Sequence, residues 1–128
     1  MAGSPRRGGA LDVRIKRVYE PAADDDGTRV LVDRLWPRGI RREALRHDEW
    51  LRAISPSAAL RAWFHHDQAR WAEFIERYRA ELATPDNQAH LARLRALAAR
   101  GRLTLLYAAR EERFNNAAAL REVILARG

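Results

Sequence analysis

No cysteine occurs in the 128 residues of this chain, which excludes disulfides, thiolate metal sites and a cysteine nucleophile. Lysine is nearly missing as well: among 24 basic residues, Lys16 is the one lysine and the others are arginine. Alanine is abundant alongside, so the net charge of +7 reflects compositional bias as much as selection for phosphate binding. A basic chain binds nucleic acid weakly at low salt whatever its purpose, and charge alone carries little functional weight. No apolar run approaches the about 20 residues that span a bilayer. Arg6 and Arg7 are followed by no apolar segment, so the start of the chain does not read as a secretory signal. A glycine-rich phosphate loop is lacking too, because Arg7-Gly8-Gly9 precedes a strand rather than joining strand to helix. Nucleophile-elbow, zinc-deaminase and nucleic-acid-binding signatures are likewise missing. The expectation is a soluble, cytoplasmic protein with no cofactor, no metal and no membrane partner.

What is present fits one domain. A chain of this length buries roughly two-thirds of its unfolded surface, and 47% hydrophobic residues can fill the core. Residues 1–10, rich in glycine, read as a disordered leader, and 11–128 as the folded domain. Val13, Ile15 and Val18-Tyr19 suggest a first strand, and Pro21 to Gly27, with Asp24-Asp25-Asp26, a solvated loop. Arg29 to Leu35 reads as a second strand stopped by Pro37 and Gly39. Arg41–Arg46 suits a helical turn, and Glu49–Ile54 suits either a short strand or a turn. Ser55-Pro56 then resembles a cap followed by proline in the first helical position.

Leu60, Trp63, Phe64, Trp71, Phe74, Ile75, Tyr78 and Leu82 recur at spacings of three and four, a helical stripe. His65-His66-Asp67 interrupts it, with Asp67 suited to cap a second helix from Gln68. Thr84-Pro85 opens a third helix lined by Leu91, Leu94, Leu97 and Ala98 and ended at Gly101. Leu103–Tyr107 is a continuous apolar run, expected of a strand covered on both faces, and a last helix spans about 116–127. The pattern predicts an α/β fold: a small, mostly parallel sheet covered by helices, in a Rossmann-like three-layer or a two-layer arrangement.

Asp33-Arg34-Leu35-Trp36-Pro37-Arg38-Gly39 carries the chemistry. An acid, two guanidinium groups and an indole follow a buried strand, and strand ends of this kind bind ligands in α/β proteins. If the second and last strands are adjacent and parallel, Asp33 and Arg34 lie near Tyr107 and Arg110. Arginine offers a planar fork that matches phosphate or carboxylate oxygens. Arg34, Arg38 and Arg110 are therefore candidate anion clamps, and Trp36 and Tyr107 candidate stacking surfaces. Asn115-Asn116 lies at a helix start, which favours anions. Asp33 is a candidate acid/base or a partner that orients an arginine. His66 with Asp67 is a second proton-transfer candidate; adjacent histidines lack the one-turn spacing of a helical metal site. Each feature also has a plain structural reading: an ion pair closing a strand end, Trp36-Pro37 plugging the core, an asparagine or Asp67 capping a helix. Trp63 and Trp71 fall in phase with the core stripe rather than forming a stacking platform.

Several segments together resemble the YeaO-like branch of a bacterial family of unknown function, the one numbered 488. They are Arg17-Val18-Tyr19, Val30 through Gly39, Ser55-Pro56-Ser57, Leu60 through Asp67, Leu105 through Arg110, and Asn115-Asn116-Ala117. The likeness covers about residues 13–125, and its Trp-Pro-Arg-Gly segment is specific. It implies a small α/β domain. More distant branches carry cysteines after the final strand, where this chain has Tyr107-Ala108-Ala109-Arg110, so thiol chemistry does not transfer. The positions matching the branch are Asp33, Arg34, Trp36, Arg38, His66, Asp67, Tyr107, Asn115 and Asn116. The leading expectation is a binder of an anionic small molecule, such as a nucleotide or other phosphorylated compound, with or without turnover. A nucleic-acid-binding module using the arginine surface and a ligand-free interaction protein are the alternatives, and the oligomeric state stays open.

Overall fold

Four parallel strands form the sheet: β1 (Val13–Arg17), β2 (Thr28–Leu31), β3 (Glu49–Trp50) and β4 (Leu103–Tyr107), in the order β1-β4-β2-β3. Four helices accompany them: α1 (Ala58–Phe64), α2 (Trp71–Glu81), α3 (Pro85–Arg100) and α4 (Asn116–Ala126). This computed structural model describes residues 11–126, and the expected leader at 1–10 lies outside them. The α/β class and parallel sheet agree with the sequence pattern.

β4 is central because every one of its residues is buried, and only a strand covered on both faces can be so apolar. Its alternation assigns the faces. Leu103, Leu105 and Tyr107 join Val13, Val30 and Val32 in the main core with all four helices. Leu106 points the other way, into a smaller cluster with Val18, Leu31 and Leu45, against which Trp36, Ile40 and Trp50 pack. Helices therefore cover one face, and the irregular segment between β2 and β3 covers the C-terminal half of the other. The arrangement is two-layered, with that segment as a partial third cover.

The N-terminal half of the second face is ionic. Asp26 was expected in a solvated loop, yet it is 5% exposed. Its carboxylate takes both Lys16 Nζ contacts at 3.1 Å, the Arg29 guanidinium and the Ala23 N–H, while the Thr104 hydroxyl donates to its backbone carbonyl. Burial opposes ionisation here, but the Ala23, Lys16 and Arg29 donors outweigh it and hold the Asp26 carboxyl below its ordinary value.

Other boundaries shift for local reasons. β2 ends at Leu31 rather than Leu35, because the Asp33 carbonyl leaves the ladder and accepts from the Trp50 indole N–H at 2.7 Å. Glu49–Ile54 is both a two-residue strand and a 3₁₀ turn. The cap of α1 is Ser57, not Ser55: its hydroxyl accepts from the Leu60 N–H at 3.1 Å and donates to Glu81 on α2 at 2.5 Å. Asp67 and Thr84 cap where expected.

Candidate functional site

The sheet delivers β1, β2 and β4 side by side, so their C-terminal ends open on one edge. There Asp33 acts as a tie. One carboxylate oxygen accepts from the Ala108 N–H at 2.8 Å, just past β4, and the other from the Asn116 side-chain amide at 3.1 Å, at the start of α4. Burial pushes its carboxyl above the ordinary value, against those two donors and the Arg61 charge, which favour ionisation. On the β1 side, the Tyr19 hydroxyl donates to the Arg38 carbonyl at 2.7 Å and draws the loop after β2 over the edge. Gly39 makes the return turn with φ of 81°.

These ties enclose a cavity of about 400 Å³. Phe64 and Phe74, stacked with ring centroids 4.1 Å apart, contribute apolar wall. Arg34, Arg38 and Arg61, all exposed, also line it. Among the described residues, no carboxylate forms an ion pair with any of these three, and no hydrogen bond or ring contact occupies their guanidinium groups. Other cations of the chain do form ion pairs, among them Arg29 with Asp26, Arg77 with Glu73, Arg93 with Glu49 and Arg102 with Asp12. The concentration of unmatched positive charge over an aromatic wall suits an anion carrying an apolar or planar body.

His66 reaches the same wall by an unusual path. His65 and His66 both adopt left-handed backbone, with φ of 46° and 54°, where α1 stops and the chain turns toward Asp67. Non-glycine residues there carry strain that must be held by their surroundings. The holding contact is His66 Nδ1 donating to the Phe114 carbonyl at 2.8 Å. Because a carbonyl only accepts, that bond places a hydrogen on Nδ1.

Of the residues proposed from sequence, Asp33, Arg34, Trp36, Arg38, His66 and Asn116 meet on this cavity. The others do not line it. Tyr107 is 3% exposed and faces the helices, in phase with Leu103 and Leu105. Burial, with the Glu112 and Glu20 charges, raises its hydroxyl above the ordinary phenol value. Asn115 is fully buried; its side chain accepts from the Ala118 N–H at 2.8 Å and donates to the Glu111 carbonyl at 2.8 Å, capping α4. Asp67 accepts from the Ala69 N–H and pairs with Arg70 at 3.6 Å. Arg110 is exposed beyond the cavity. Trp36 has two jobs: besides lining the cavity it plugs the smaller core, donating to the Ile40 carbonyl at 2.6 Å and meeting Trp50 edge-on.

The helix start was expected to attract an external anion. Instead an internal one is already there, since the Asn116 amide is spent on Asp33. The positive charge available to a ligand comes from the arginines.

Residues 12–127 match a family described as the inactive DUF488-N3 subclade. The chain belongs to that subclade. It is 46% identical to the Escherichia coli (strain K12) protein YeaO over 86% of this chain and 94% of that one. It is also 44% identical, over 88% of this chain and 92% of the relatives, to the proteins Mb3100c of Mycobacterium bovis and Rv3073c of Mycobacterium tuberculosis. All three relatives bear the description "uncharacterized". No solved structure matches significantly. Among the described residues, no group of three metal-ligating side chains comes together and no helix is long and apolar enough to cross a membrane.

For this DUF488-N3 member, sequence reasoning missed Tyr19, Arg61, Phe64 and Phe74 on the cavity wall. Tyr19 was within reach of the strand-end rule applied to β1. Phe64 and Phe74 were read as core, which they also are. Arg61 had no signal: it is one exposed arginine among many.

Proposed function

We propose that this protein is a non-catalytic receptor for a small anionic molecule with a planar or apolar body, of the nucleotide type. The observation that carries this reading is the set of three arginines, Arg34, Arg38 and Arg61, that form no ion pair among the described residues and line a cavity with Phe64 and Phe74. The volume falls in the range of small-molecule sites, which run from about 300 to 1,000 Å³. The arginines would take the phosphoryl group, and the aromatic wall the ring.

Binding without turnover is favoured on two counts. The family is described as inactive, and Asp33 already has both oxygens bonded to Ala108 and Asn116. We assign Asp33 a positioning role: it ties β2, β4 and α4 together at the base of the cavity. His66 offers its Nε2 from the rim as a hydrogen-bond partner. A nucleic-acid interface is less well supported, because the sequence carries no recognisable nucleic-acid-binding motif.

Calorimetric titration with the four common nucleoside monophosphates tests the reading. A charge-assisted hydrogen bond contributes about 1.5–3 kcal/mol, so Arg38→Ala is expected to weaken binding by about tenfold or more, with the thermal midpoint nearly unchanged. Absence of binding at millimolar concentration, or an Arg38→Ala variant that loses stability with no change in binding, would overturn it.

A further inference from the structure

Arg34 belongs to two cavities. Besides the first, it lines a neighbouring one of about 310 Å³ built by Arg52, Ala53, Ser55, Pro56 and Ser57, the segment that leads from β3 into α1. Arg52 is exposed, and its guanidinium lies 4.6 Å from the centroid of the Trp50 ring. Stacking on an indole restrains the side chain while leaving its N–H fork free. Among the described residues, no carboxylate pairs with Arg52.

The other polar groups of this second cavity are already in use. The Ser57 hydroxyl and N–H both donate to Glu81, at 2.5 and 2.8 Å, and the Ser55 hydroxyl donates to the Arg52 carbonyl at 3.0 Å. The free hydrogen-bonding capacity is therefore cationic and comes from Arg34 and Arg52. Two arginines without ion pairs lining one hollow suit an anion with several oxygens.

Resting on the receptor reading above, we infer that the Arg34–Arg52 cavity is a second phosphoryl subsite, and that the ligand class is a nucleotide bearing at least two phosphoryl groups. The ring and first phosphoryl group occupy the aromatic cavity with Arg38 and Arg61. Arg34, shared by both cavities, contacts both phosphoryl groups, and Arg52 takes the second. A monophosphate would leave Arg52 without a partner.

The test is the ratio of diphosphate to monophosphate affinity, measured by calorimetry with each nucleoside monophosphate and its diphosphate. The wild type is expected to prefer the diphosphate by about tenfold or more. Arg52→Ala should reduce that preference to near one without weakening the monophosphate, and Arg52→Glu should reverse it. Arg100→Ala removes one positive charge at the opposite end of the sheet, beside the start of β4, and should leave the ratio unaltered. Thermal midpoints of all variants confirm folding. A wild-type ratio near one, with the monophosphate still bound, overturns the second subsite and spares the receptor reading. So does a preference that survives Arg52→Ala or falls equally in Arg100→Ala. Failure of every monophosphate and diphosphate to bind overturns both.

Discussion

Replacing Asp33 by asparagine separates its architectural role from its charge. The carboxylate joins three elements through the Ala108 N–H and the Asn116 amide. An asparagine retains one acceptor for Ala108. Its new NH₂ would oppose the Asn116 NH₂, but a flipped Asn116 amide presents an oxygen and restores the bond, giving up only a 3.4 Å contact to the Val32 carbonyl. The variant also removes a charge that burial disfavours, so its stability at neutral pH should stay within about 1 kcal/mol of wild type. Binding should change more. A carboxylate and a phosphoryl charge about 6 Å apart repel by about 1.4 kcal/mol at an effective dielectric near 40, a factor of about ten in affinity. Asp33→Asn should therefore bind nucleotides about tenfold more tightly at pH 7. The pH profile supplies the sign check. Folding raises the Asp33 carboxyl above its ordinary value of 3.8, and a bound anion raises it further. Wild-type affinity gains as pH falls through that raised value, whereas the variant lacks this component. Arg34, Arg38, Arg61 and His66 face the same cavity, and they and the ligand's own ionisation are common to both proteins. The difference between the two profiles isolates Asp33. Calorimetry from pH 4.5 to 8 measures it, with thermal denaturation in parallel. Weaker binding by Asp33→Asn at every pH, in a stably folded variant, would show that Asp33 accepts a hydrogen bond from the ligand and refute the positioning role.

Two further substitutions test the frame on which the site stands. Gly27 has φ of 69° and ψ of −139°, and a Cβ there would lie 2.1 Å from the Arg102 carbonyl oxygen, which accepts the Thr28 N–H at the first rung of the β2–β4 pairing. Gly27→Ala combines disfavoured backbone with a backbone clash and should cost about 3 kcal/mol or more, lowering the thermal midpoint by about 10 °C; a loss under about 1 kcal/mol would contradict the close approach. Asp26→Ala strands Arg29, which is 3% exposed, beside Lys16, and should cost about 3–5 kcal/mol in urea denaturation. Because folding lowers the Asp26 carboxyl, its contribution is complete above the ordinary value of 3.8 and fades as pH falls through the folded value, so the gap between wild type and Asp26→Ala should narrow in acid. A gap that does not change with pH would mean that ionisation of Asp26 is not what holds the cluster.

The sequence made the sheet legible where burial was two-sided and hid it where pairing was distant. The apolar run at Leu103–Tyr107 marked a covered strand, but nothing local shows that it inserts between β1 and β2. Asp24-Asp25-Asp26 looks solvated by composition; only the fold brings Lys16 and Arg29 to Asp26. The same distinction governs the site. Asp33, Arg34, Trp36 and Arg38 were legible because a strand end followed by a Pro/Gly turn must leave its side chains at an edge. Tyr107 was misplaced because strand-end position was weighed above strand phase: counting by two from Leu103 puts it in the core. Asn115 and Asn116 differ by about 100° around a helix, so only one of them can face the cavity, and the sequence did not say which. Phe64 and Phe74 served core and cavity at once, which a core-or-site choice cannot express.

That double service explains why the cavity is placed where it is. The strand-end edge needs a cap, and the loop after β2 supplies it, with Trp36 seated on the smaller core and the Asp33 carboxylate anchored to Ala108 and Asn116. Anchoring by an acid instead of a neutral group spends the Asp33 charge on the protein's own donors. Among the described residues Arg34, Arg38 and Arg61 form no ion pair, although a well-placed carboxylate on the same loop would have given them one. A purely structural cap gains nothing from a cavity lined by three exposed arginines. Their place on one cavity is accounted for if a counter-charge arrives with a ligand.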